Sequence, residues 1–268
     1  MNNKMKVALR TLQTSFPGLL DTKFKLMRAY RNGLRIPFDP DFRGISLFPD
    51  APNALFLDVG ANRGQSTDAI LMQTRNSRIQ MFEPNPLLCE KLEQQYRGNP
   101  RVTVNRFGLG DKPVEQPLFV PFYKGWMFDG LASFDKEKAT SWLRGRMLFY
   151  HDRHLTAREV PCRIRRLDEL GLKPFFMKLD VQGYELQALE GAERTIASFE
   201  PVLLIESPPE DEIIAFLKNL GYQYYAFTGT EFIPGQMGGR NTFFMTESKA
   251  VLVKQFIKHG SQVMVAAR

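Results

Sequence analysis

Seven short apolar runs, most of them followed by a stretch with helical spacing, constrain this chain more than any other feature. The runs are ALFLDV (54–59), RIQMFE (78–83), RVTVN (101–105), PFFMKLDV (174–181), PVLLIE (201–206), YQYYAF (222–227) and NTFFMT (241–246). Helices are expected over 64–74, 84–96, 184–199 and 210–221. The second opens on prolines and carries Leu87, Leu88, Leu92 and Tyr96, and the last stops at Gly221. Near-continuous apolar strands alternating with helices predict an α/β fold, a doubly wound and mostly parallel seven-stranded sheet of Rossmann-like kind covered on both faces.

The rest of the chain divides around that core. Residues 1–50 read as a basic helical extension, 51–248 as the main domain and 249–268 as a helical tail. The extension splits into two helical pieces at Pro17-Gly18, and 36–53 reads as a connector. The segment 112–160 is irregular. Short strands are expected at QPLFVPFY and GLASF and a helix over 135–150, and such an insertion suits an acceptor-binding lid.

Charge is concentrated at one end. Residues 1–35 hold eight basic residues and one acid, Asp21, which accounts for the whole net charge of +7. A segment of this kind either packs on the domain through Leu19, Leu20, Phe24 and Met27 with a solvated basic face, or makes weak contact with an anionic membrane surface. No apolar run reaches the length of a transmembrane helix, and the N-terminus lacks the apolar region of a signal peptide. Cys89 and Cys162 form neither a disulfide framework nor a metal-ligand spacing, and no metal site is expected. A reducing, cytoplasmic setting is the simplest reading.

In an open α/β sheet, ligands bind beyond the carboxyl ends of the strands. Here those ends carry Asp58, Glu83, Asp111, Asp180 and Glu206. The first turn reads LDVGANRG. It lacks the Gly-x-Gly-x-x-Gly spacing of a dinucleotide site and the Gly-Lys-Ser/Thr of a P-loop. Asp58 stands two residues before Gly60, where an anion would repel a pyrophosphate. It would suit a cationic ligand without phosphate, and S-adenosylmethionine has an amino group and a sulfonium. Gly60 and Gly64 allow close backbone approach. Glu83 lies 23 residues beyond Gly60 and can accept from both hydroxyls of a ribose.

These motifs, LDVGANRGQST, FEPNP, GLGD, RLDEL and FFMKLDVQGYELQALEGAERTI followed by PVLLIE, resemble the FkbM family of S-adenosylmethionine-dependent methyltransferases over about residues 52–246. The resemblance implies the doubly wound methyltransferase fold and methylation of hydroxyl oxygens on sugars and natural-product scaffolds. It places Asp58, Gly60, Asn62 and Gly64 at the methionine end of the cofactor, Glu83 at the ribose and Asp111 beside the adenine. The family usually has Asp-Val-Glu-Gly-x-Glu after the fourth strand, where this chain has Asp180-Val181-Gln182-Gly183-Tyr184-Glu185. If that acid serves as base or metal ligand, activity is in doubt. If it only caps the following helix or hydrogen-bonds backbone, Gln182 can replace it, and this is the reading adopted.

Methylation of an alcohol requires positioning and removal of a proton. Asp180 is the first candidate base, with helix capping as its bland role. Glu206 is the second, although Lys178, two residues before Asp180 on the same strand face, is expected to pair with it. His154, in FYHDRHLTAR, is the third, against the plain reading of an exposed loop histidine. Seven arginines between 144 and 166, with Trp126, Trp142, Phe149 and Tyr150 nearby, are candidate contacts for an anionic or sugar-bearing acceptor. The expected activity is O-methylation of a free hydroxyl on a sugar, glycan, glycolipid or secondary metabolite. A nucleic-acid acceptor is disfavoured, because DVQG stands where an Asn/Asp-Pro-Pro-aromatic motif would be. A non-catalytic protein that keeps the S-adenosylmethionine pocket is the remaining alternative, prompted by Gln182.

Overall fold

A computed structural model of the chain describes residues 3–258. The N-terminal extension forms α1 (Asn3–Thr14) and α2 (Leu20–Leu34), separated by a 3-10 turn over Pro17–Leu19. The expected connector is part of the core. Pro40–Leu47 forms a 3-10 helix whose N-cap Asp39 accepts from the Asp41 amide at 2.9 Å, and its Phe42 is fully buried.

The first half of the domain follows as β1 (Leu55–Val59), α3 (Gln65–Gln73), β2 (Arg78–Phe82), α4 (Pro86–Tyr96) and β3 (Val102–Asn105). The middle segment holds β4 (Gly108–Leu109), β5 (Val114–Tyr123), β6 (Trp126–Met127), α5 (Lys136–Ser141) and β7 (Leu155–Arg165). The second half is β8 (Pro174–Leu179), α6 (Glu185–Glu190), α7 (Glu193–Phe199), β9 (Val202–Glu206), α8 (Asp211–Asn219), β10 (Gln223–Phe227), β11 (Phe232–Pro234), β12 (Asn241–Met245) and α9 (Glu247–Ala250).

The main sheet has the order β11-β10-β12-β9-β8-β1-β2-β3. Its five strands from β9 to β3 are parallel, and β12 runs antiparallel to both neighbours. It therefore has eight strands rather than the expected seven. The extra one, β11, is a three-residue edge strand ending in proline, too short to show a period of its own. The order reverses between β1 and β8, so the crevice for a ligand opens between their carboxyl ends. Both faces are covered. Phe56, Ile79, Phe176 and Val202 pack with Phe42 and Ile45, while Leu57, Met177, Leu203 and Ile205 pack against α6, α7 and α8.

Two expected elements differ. The helix over 184–199 is broken into α6 and α7 at Gly191, where a Cβ would stand 1.8 Å from the Gly110 carbonyl oxygen. The middle segment is an organised second sheet, β4-β7-β5-β6. Strands β5 and β7 pair antiparallel from Val114–Ile164 to Tyr123–Leu155. The helix expected over 135–150 stops at Ser141, and the chain then passes through left-handed Gly145 and Phe149. GLASF gives a 3-10 turn and a single bridge, Ser133–Phe119. After α9 a 3-10 helix runs over Val251–Phe256, and the remainder of the expected tail, from residue 259, lies outside the described residues.

Helix α2 docks by its charged face. Asp21 pairs with Arg63 at 3.0 Å and Lys91 at 2.6 Å, and Arg28 grips Asp68 through two bonds of 2.6 and 2.9 Å. Leu20 is buried and Phe24 half-buried. Leu19, in the turn before the helix, and Met27, three residues after Phe24, were expected to pack and are exposed instead.

Candidate active site

The turn after β1 is held by the neighbouring strand. Gly60 and Ala61 both donate to the Phe82 carbonyl, at 3.0 and 3.2 Å, and the Asn62 amide donates to Glu83 Oε2 at 2.7 Å. Gly60, Asn62 and Gly64 all have positive φ. A Cβ on Gly60 would lie 1.9 Å from the Asp180 carbonyl oxygen, and one on Gly64 2.5 Å from the Tyr96 hydroxyl oxygen. Glycine is thus required at both places by protein neighbours as well as by backbone conformation.

Gly60, Ala61, Asn62, Glu83 and Asp180 line a cavity of about 390 Å³ at the crevice between β1 and β8. Phe82, Leu109, Leu118 and Ile164 give it apolar wall, and Lys178, Gln182 and Tyr184 close the side next to Asp180. The volume and the few convergent polar groups suit a small organic ligand.

Glu83 is buried and held by two backbone amides. Its Oε1 accepts from the Asn85 amide at 2.9 Å, and Oε2 from Asn62. Burial raises it to about 7, against the pull of these two amides. Each oxygen keeps a lone pair free for a further donor.

Asp58 is fully buried behind the turn rather than on the cavity wall. Ser66 and Thr67, in the first turn of α3, both donate to its Oδ2 at 2.6 Å. Its Oδ1 has no hydrogen-bond partner among the described residues. Lys178 stands beside it in register on β8.

At the end of β8, Lys178 pairs with Asp180 at 3.1 Å, and the expected Lys178–Glu206 pair is replaced by this one. Burial would raise Asp180, but the Lys178 ammonium and the Gln182 amide hold it below the ordinary carboxylate value. Gln182 Nε2 donates to Asp180 Oδ1 at 2.7 Å and reaches Glu206 Oε2 at 3.3 Å. Desolvation and the neighbouring Asp180 push Glu206 up to about 7. The turn before α6 is held instead by Glu185, the first residue of that helix, which accepts from the Val181 and Gly183 amides at 2.8 and 2.9 Å. Gln182 is therefore a bridge between two carboxylates and not a cap.

Several sequence candidates lie off the cavity. Gly64 is packed on Tyr96, and Glu206 stands outside the wall beyond Gln182. Asp111 is carried past the edge by the β4–β7 pairing, where its carbonyl accepts from Arg166, and Gly108 and Leu109 of the same motif line the cavity instead. His154 is in a 3-10 turn against the Tyr123 ring, 5.9 Å between centroids, away from the cavity. The arginines of 144–166 do not line the cavity either. On β7 the alternation puts Val160, Cys162 and Ile164 inward and Arg163 and Arg165 outward, with Arg163 paired to Glu115 at 2.8 Å, while Arg158 lies over the Phe122 ring at 4.3 Å. Sequence reasoning missed Phe24, Leu118, Asp129 and Ile164 as cavity residues. They arrive from elements distant in the chain, and no local pattern marks them.

The topology, the turn and Glu83 define a methyltransferase of the doubly wound class, and S-adenosylmethionine is its methyl donor. The residues fit that group. Glu83 has free lone pairs for two hydroxyls, and the unpaired Asp58 Oδ1 provides negative charge behind the turn. The sequence profile described as the methyltransferase FkbM domain matches residues 58–224, and the chain belongs to that family. It is 31% identical over 164 residues to the AMB antimetabolite synthetase AmbE of Pseudomonas aeruginosa, covering 52% of this chain and 8% of that protein. The chain thus spans less than a tenth of that relative's length. Among solved structures, methyltransferase FkbM from Methylobacillus flagellatus aligns over 72% of this chain and 43% of that one, with 21% identity and a TM-score of 0.46. Aeropyrum pernix fibrillarin, solved with natively bound S-adenosyl-L-methionine, aligns over 77% of this chain and 76% of that one, with 11% identity and a TM-score of 0.39.

Proposed function

We propose that this methyltransferase acts on a hydroxyl oxygen of a sugar, glycan, glycolipid or secondary metabolite. The observation that carries the reading is Asp180, an ionised carboxylate on the cavity wall whose carbonyl packs against Gly60. The antimetabolite synthetase named above favours the secondary metabolite within that range.

When bound, S-adenosylmethionine supplies a methyl group activated by a sulfonium that leaves as a neutral thioether. The protein's part is positioning and proton handling. Glu83 accepts from the ribose hydroxyls, and the Gly60–Asn62 backbone forms the wall of the methionine end. Asp180, kept anionic by Lys178, accepts a hydrogen bond from the acceptor hydroxyl and orients its oxygen. Asp180 takes the acceptor's proton as the new bond forms, and Glu206, joined to it through the Gln182 amide and raised to about 7, takes that proton on from Asp180. A transfer assay with labelled methyl donor over hydroxylated sugar, lipid and metabolite fractions tests this. A labelled methyl that survives mild base, as an ester does not, and is released by boron tribromide, which cleaves ethers and leaves N-methyl amines intact, supports the reading, and a labelled ester or amine overturns it.

A further inference from the structure

Helix α2 packs in the reverse sense to an ordinary surface helix, whose apolar stripe faces the core. Its charged side, with Asp21 and Arg28, is turned inward and consumed in ion pairs. Its outward side carries Leu19, Leu26, Tyr30 and Leu34 at helical spacing, each more than half exposed and Leu26 66%. Helix α1 repeats the pattern with Met5, Leu9 and Leu12, continued by Phe16 in the turn that follows it, and three of these four are more than half exposed. Exposed apolar side chains repeated at helical spacing in this way mark a contact site.

The charge around the stripe selects the occupant. Residues 1–35 contain a single acid, Asp21, and it is held by Arg63 and Lys91. Lys25 and Arg31 of α2 make no ion pair among the described residues. A second copy of the chain would bring the same cations against these, so self-association through this face is opposed by charge. Apolar side chains flanked by unneutralised lysine and arginine fit the boundary between lipid headgroups and acyl chains.

We propose that α1 and α2 lie on an anionic lipid bilayer, with Leu12, Leu26 and Tyr30 entering the interface and Lys25 and Arg31 on the headgroups. The inward side of α2 reaches the cavity through Phe24. Docking would therefore bring one wall of the cavity to the membrane, and the acceptor would be an amphipathic hydroxyl compound held in the bilayer. That consequence rests on the methyl-transfer reading, and the docking itself does not.

Vesicle flotation of the full chain tests the docking without using activity. Wild type is expected to float with vesicles containing phosphatidylglycerol and to stay behind with phosphatidylcholine alone. Leu26→Gln with Tyr30→Gln, and separately Lys25→Gln with Arg31→Gln, are each expected to lose binding by about tenfold or more. All four positions are partly or fully exposed, so unchanged melting and S-adenosylmethionine binding report an intact fold. Failure of wild type to float with the anionic vesicles at low salt overturns the docking. So does a dimer in sedimentation that dissociates in the Leu26/Tyr30 variant, which would assign the stripe to a second copy. Flotation without S-adenosylmethionine binding supports the docking and counts against the methyl-transfer reading alone.

Discussion

The Asn62 amide donates to the Glu83 carboxylate at 2.7 Å, and this bond joins the turn after β1 to the end of β2. It makes the loop and the candidate ribose acceptor one unit. The same carboxylate is buried and raised to about 7, so its charge state couples to whatever occupies the cavity.

Binding of S-adenosylmethionine should strengthen with pH. Ribose hydroxyls donate, and only ionised Glu83 can accept from both. Affinity should rise about tenfold per unit below pH 7 and level off above it. Without ligand the sign is opposite. The folded value lies above the ordinary 4.5, so this group's stabilising contribution is present below about 4.5 and lost as pH rises through about 7. Titration calorimetry and melting across this range should show opposite trends, and a pH-independent affinity would remove Glu83 from the ribose contact.

Asp58→Ala should damage the fold as well as the site. It strands the Ser66 and Thr67 hydroxyls and removes a negative neighbour of buried Lys178. A loss of about 2–4 kcal/mol in urea unfolding is expected. Unchanged stability would mean that this cluster is not formed.

Glycine replacement should separate the two kinds of left-handed site. Gly60→Ala drives a methyl group into the Asp180 carbonyl, whereas Gly145→Ala meets nothing within 4 Å. The first should cost on the order of 3 kcal/mol or more and the second about 1 kcal/mol, read from thermal unfolding.

Gln182→Glu should raise the Glu206 titration above its present value of about 7. It replaces an amide donor by a third carboxylate beside Asp180 and Glu206. Carbon-detected NMR of the Glu206 carboxylate reads the shift directly. A downward shift would show that Gln182 does not bridge the pair.

The central architecture was legible because its signals are local. Each parallel strand is a short apolar run, and the turn at Gly60 announces its conformation through its residues. The second sheet was not, although β7 alternates cleanly at Val160, Cys162 and Ile164. Its arginines drew attention to binding, while its partner β5 lies some forty residues earlier, with Val114 opposite Ile164. Of the site, Gly60, Glu83 and Asp180 were found from strand ends and Asn62 from the family resemblance, and all four line one cavity. The burial of Asp58 depends on Ser66 and Thr67 folding back from α3, which spacing along the chain does not give. The Lys178–Asp180 pair joins side chains two residues apart on one strand face, where a cross-strand partner was expected for the lysine.

Calorimetric titration of S-adenosylhomocysteine into wild type, Glu83→Ala and Asp180→Asn tests the assignment of the cavity. One-to-one binding at micromolar concentration is expected for wild type and Asp180→Asn, with a large loss in Glu83→Ala. Absence of binding to wild type at millimolar ligand, or wild-type affinity in Glu83→Ala, would place the cofactor outside the Gly60–Glu83 unit.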